Sequence, residues 1–107
     1  MAPPLRQLAA DFLAEQDECV GAEAFERIAS AITRLLQHID AQGVTEAARL
    51  ELSHVEGFLA ASAAPDAADN WHATRLFVTW LGRRGYAASL SAAFKAGEKG
   101  IRRKLSR

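Results

Sequence analysis

Apolar residues recur along this chain at the three-and-four spacing of helices, and nowhere in the sustained alternation of strands. Leu5, Leu8, Ala9, Phe12 and Leu13 mark the inner face of a first helix. Pro3 and Pro4 stand where proline is tolerated at a helix start, and the pattern fades near Glu18, before Gly21. The second helix is the clearest element. Phe25, Ile28, Ala29, Ile32, Leu35, Leu36 and Ile39 form a continuous stripe that stops at Gly43, a residue suited to the left-handed angles of a helix end.

Val44 to Glu51 reads either as a short helix capped by Thr45 or as an irregular link. Ser53-His54-Val55-Glu56 matches a capping box, so a third helix is expected from there, with Val55, Phe58 and Leu59 inward. Gly57 costs that helix about 1 kcal/mol relative to alanine, and Ala63-Ala64-Pro65-Asp66 breaks it. A fourth helix follows, with Asp66 or Asp69 as its N-cap. Trp71, Thr74, Phe77, Val78 and Leu81 form its inner face, Trp80 widens that face, and Gly85 closes the helix. A fifth begins at Ser89 or Ser91 and uses Leu90, Ala93 and Phe94. Gly97 and Gly100 weaken its continuation, which divides the chain into a helical domain over residues 1–96 and a basic, frayed tail over 97–107. The fold class is all-α: one compact domain of four or five short helices in an orthogonal or bundled arrangement.

Composition supports a single small domain. The chain has 107 residues, half of them hydrophobic, and alanine supplies much of that half, so the core should be thin. The lone cysteine, Cys19, excludes an intrachain disulfide. The N-terminus lacks the layout of a signal peptide, and no apolar run approaches the length needed to span a bilayer. These features point to a soluble, cytoplasmic protein without a membrane partner.

Charge changes the picture. Residues 1–70 hold twelve acids against four bases, whereas residues 71–107 hold nine bases against Glu98 alone. Either the two halves neutralise each other across the fold, or the basic part meets an anionic partner. The nine bases, Arg75, Arg83, Arg84, Lys95, Lys99, Arg102, Arg103, Lys104 and Arg107, are therefore the candidate binding residues.

The catalytic inventory is sparse. His38, His54 and His72 fall on three different helices without the paired spacing of a zinc site. Cys19 has no neighbouring base, and a small buried thiol is the commoner role for such a residue. The glycines do not form a phosphate loop, and Glu15, Asp17 and Glu18 read as the solvated end of a helix. No enzyme, cofactor or metal is expected.

Arg75, Phe77, Trp80, Leu81 and Gly85, the Val55–Ala61 run VEGFLAA, and the long second helix stopping at Gly43 together carry a likeness. Over roughly residues 8 to 88 the chain resembles the N-terminal, SAM-like core-binding domain of tyrosine recombinases and phage integrases. That resemblance implies a small helical DNA-binding module. It departs from the family in having Ala24 and Ile28 where threonine and tyrosine are frequent, and in a mildly acidic second helix. His72-Ala73-Thr74-Arg75 spells the family's H-x-x-R box, but no tyrosine follows at the nucleophile's distance, and Tyr86 is too close. The expectation is a non-catalytic DNA-binding module that contacts phosphates through its basic half. The alternative is a protein-interaction or self-associating module built on its acidic and basic faces.

Overall fold

The computed structural model describes residues 3–105, with side chains through Gly97. Five helices follow one another: α1 Leu5–Cys19, α2 Ala22–Asp40, α3 Leu52–Ala61, α4 Ala67–Arg83 and α5 Ala88–Leu105. A single 3-10 turn, Ala47–Arg49, links α2 to α3. Among the described residues there is no strand, only an isolated antiparallel bridge between Pro4 and Glu46. The all-α expectation holds.

The apolar spacing of each helix decides which face turns inward. Leu5, Leu8, Ala9 and Phe12 of α1 are buried, as are Ile28, Ala31, Ile32, Leu35 and Ile39 of α2. Phe25 and Leu36, at the edges of the α2 stripe, are only half-buried. Two helices end in the same device. After α2, the Val44 N–H bonds the Ile39 carbonyl and the Gly43 N–H bonds that of Asp40. After α4, Tyr86 and Gly85 repeat this with Leu81 and Gly82. In each, the glycine sits at positive φ, 80° and 78°, where a side chain would be strained.

The third helix starts earlier than its sequence signature suggests. It begins at Leu52, and the backbone N–H of Glu51 donates to His54 Nδ1 at 3.0 Å, so Glu51 and His54 form the capping box expected of Ser53 and Glu56. Burial of Leu50 and Val55 fixes the chain on either side of this turn and sets the start. For α4, Asp66 occupies the N-cap position without a side-chain bond, and Asp69 lies in the first turn, where a carboxylate suits the helix dipole. The fifth helix starts at Ala88, one residue before the earlier of the two expected starts, and its backbone runs through Gly97 and Gly100 to Leu105.

The centre of the fold is α4, which packs against all four other helices. Phe77 lies 5.2 Å from the Phe12 ring and 6.3 Å from Trp80, tying α4 to α1. Asn70, 3% exposed, ties it to α2 and α3. Its Oδ1 accepts from Arg34 Nε and Nη2 at 2.9 and 2.8 Å, and its Nδ2 donates to Ser62 Oγ at 2.8 Å. Ser62 in turn donates to the Phe58 carbonyl at 2.9 Å, so the buried amide is satisfied on both sides.

Helix α5 reaches α4 at one very close point. A Cβ added at Gly82 would lie 2.5 Å from both Cβ and Oγ of Ser91. Such an overlap forces the helices apart, so Gly82→Ala is expected to cost about 1–3 kcal/mol. Chemical denaturation measures this, and the double variant G82A with Ser91→Gly should recover part of the loss. A G82A protein as stable as the parent would contradict the close crossing.

Candidate functional site

The close crossing of α4 and α5 leaves a cleft beside it. Arg75, Thr79, Gly82 and Arg83 line it from α4, and Ala88, Ser91, Ala92, Phe94 and Lys95 from α5. On α4 these positions follow i, i+4, i+7, i+8, and on α5 Ala88, Ser91, Ala92 and Lys95 follow i, i+3, i+4, i+7, so each helix contributes one stripe. The recess has a volume of about 550 Å³. Small residues floor it, because only glycine and serine allow the backbones this near, and cations stand along its walls.

Three of the nine sequence-identified bases, Arg75, Arg83 and Lys95, therefore meet at one place although twenty residues separate the first from the last. Arg83 and Lys95 are exposed. Lys99, Arg102, Arg103 and Lys104 lie on the continuing backbone of α5, with side chains outside the described residues, and Arg107 lies outside them altogether.

Arg84 is turned elsewhere. Its guanidinium pairs with Glu15 Oε2 and lies 5.1 Å from the centre of the Trp80 ring. The indole N–H of Trp80 donates to the same Glu15 oxygen at 2.8 Å. The carboxyl of Glu15 is accordingly held below its ordinary value of 4.5, by the Trp80 N–H first and then by Arg84, with desolvation acting the other way. Glu15 is thus an α1–α4 anchor rather than a merely solvated helix end.

The acids gather apart from the cleft. Glu23, Glu26, Asp66 and Asp69 line a shallow groove with Arg27, Ser30 and Arg34, between α2 and the start of α4. Helix α4 therefore carries opposite charge at its two ends. The Glu15–Arg84 pair joins the acid-rich and base-rich parts of the chain.

Two of the three histidines make structural contacts. His38 packs at a tilt against Phe58, with centroids 5.6 Å apart, and hydrogen-bonds Gln42, and His54 caps α3. Cys19 is exposed, which corrects the expectation of a buried thiol. Among the described residues no group of three or more His, Cys, Asp or Glu side chains could hold a metal ion. No helix among them is long and apolar enough to cross a membrane.

Sequence reasoning missed three residues that shape this region: Gly82, Glu15 and Asn70. Gly82 carried a signal, since a lone glycine inside a bulky apolar helix marks close backbone approach. Glu15 and Asn70 acquire their roles only from partners distant in sequence. Compared with known proteins, the chain matches no family model, no curated protein and no solved structure.

The depressed Glu15 carboxyl has a consequence for stability. A group whose folded pKa is lowered stabilises the fold above its unfolded pKa and loses that contribution as pH falls through the folded value. Melting curves of the parent and Glu15→Gln should therefore differ at neutral pH and converge well below 4.5. A difference that persists unchanged into acid would contradict the Glu15–Trp80–Arg84 anchor.

Proposed function

We propose that the chain is a non-catalytic DNA-binding module that holds phosphates in the cleft between α4 and α5. The observation that carries this reading is the convergence of Arg75, Arg83 and Lys95 on one recess, with α5 continuing past it through four more bases. The recess also opens beside the first turn of α5, whose free N–H groups favour negative charge. The acidic groove on α2 and the start of α4 is a separate concavity that shares no lining residue with the cleft. The sequence likeness to recombinase core-binding domains supports the same class of ligand.

In this reading recognition is electrostatic. Cations in the cleft and on α5 replace counterions around the phosphates, and the entropy of their release drives association. The polar side chains of the lining other than the cations are Thr79 and Ser91, so this reading assigns the cations to phosphates. Binding is therefore expected to be insensitive to sequence.

A protein partner is the second reading, and one observation favours it. Pro4, Leu5, Leu36, Ile39 and Val44 border a mainly apolar recess of about 440 Å³ on the α1–α2 side, where Leu36 is left half-buried. Mass that rises with concentration in light scattering would move weight to that surface.

Fluorescence anisotropy with a generic DNA probe tests the proposal. Affinity should fall steeply with salt, with a slope near −0.9 for each phosphate neutralised. Arg83→Ala and Lys95→Ala should each reduce the slope by about 1, and the combined R102A, R103A and K104A variant by more. Arg27→Ala, in the acidic groove, is the control and should leave the slope unchanged. Absence of binding at low salt would overturn the reading.

A further inference from the structure

Resting on the nucleic-acid reading of this cleft, we propose that its ligand is a single strand, held with one base stacked on Trp71. Two observations carry this, the concavity of the charged site and the aromatic pair at its edge.

The cations line a recess rather than a ridge. A duplex offers its phosphates on a stiff convex cylinder, and proteins read it with elements that protrude into grooves, the major groove being about 12 Å wide. Here Gly82 and Ser91 bring the two helices into contact at the floor, and Arg83 and Lys95 stand on opposite walls. Both are exposed, and both line a trough of about 550 Å³. A flexible strand can bend its backbone into such a trough, whereas a duplex would only bridge its rim.

The aromatic pair supplies the second half of a single-strand site. Trp71 lies one turn before Arg75 on the same side of α4. Its ring is half-buried and stacks on Phe94, with centroids 5.6 Å apart and planes inclined by 27°. Phe94 is itself part of the cleft lining and is 3% exposed, so it backs the indole from the core. The other tryptophan, Trp80, is committed to Glu15 and Arg84 on the opposite flank. An indole fixed on one face beside a charged trough matches the combination that binds single strands without sequence preference: cations for the backbone and an aromatic face for the bases.

The test uses the whole chain and two anisotropy probes, a labelled oligothymidylate of about 12 nucleotides, within the span of known single-strand sites, and a duplex of the same length. The single strand should bind about tenfold or more tightly than the duplex. Trp71→Ala should lower single-strand affinity about tenfold and leave duplex binding nearly unaltered. Because Trp71 also packs on Phe94, Trp71→Phe is run beside it and should keep most of the affinity, and circular dichroism checks that both variants are folded. Should Trp71→Ala fail to fold, the parent's preference between probes and the affinity of Trp71→Phe decide the matter. Equal binding of both probes by the parent overturns this inference and leaves the nucleic-acid reading standing. A single-strand preference untouched by W71A removes Trp71 from the site. Binding of neither probe at low salt overturns the cleft reading and this inference together.

Discussion

The contact between Gly82 and Ser91 is the constraint on which the candidate site depends. Without a side chain at Gly82, α5 approaches α4 until their surfaces touch, and the stripes on either side become walls of one trough. A larger residue there would separate the helices and carry Arg83 and Lys95 apart. The same crossing brings Phe94 beneath Trp71, so charge and aromatic surface are placed by one backbone contact. Packing and the shape of the candidate site are coupled at a position that itself has no chemistry.

Helix α4 can serve this role because it is anchored on its other flanks. Near its start, Asn70 accepts from Arg34 and donates to Ser62, fixing α4 against α2 and the end of α3. Near its end, Trp80 and Arg84 converge on Glu15 of α1, above the cluster of Phe12 and Phe77. A half-satisfied buried amide is costly, so the Asn70 connections stabilise one arrangement of three helices over its neighbours. The exposed ion pair adds less energy but fixes the direction in which Arg84 points. Hence two consecutive arginines serve different ends, with Arg83 in the cleft and Arg84 on the α1 side.

Most of the fold was legible in the sequence, and the limits have identifiable causes. The stripes of α1, α2 and α4 and the stops at Gly43 and Gly85 depend on local spacing and backbone freedom, which a sequence displays directly. The start of α3 was misread because His54 has a ring nitrogen able to cap as well as Glu56 could. Gly97 and Gly100 weaken a helix by propensity, yet the backbone of α5 continues through them to Leu105. For the candidate site, charge asymmetry singled out the C-terminal half of the chain but said nothing of the recess formed there. That Arg75, Arg83 and Lys95 share a recess while Arg84 leaves it is set by helix crossing and by Glu15, neither of which is written locally.

The most direct measurement of the central claim is a two-dimensional amide NMR titration of the labelled chain with a short oligonucleotide at low salt. The account predicts that shifts concentrate in α4 from Arg75 to Arg83 and in α5 from Ala88 to Lys95, and spare the acidic groove around Glu23 and Glu26. Shifts centred on the Leu36 and Val44 recess, or no shifts at saturating oligonucleotide, would contradict it.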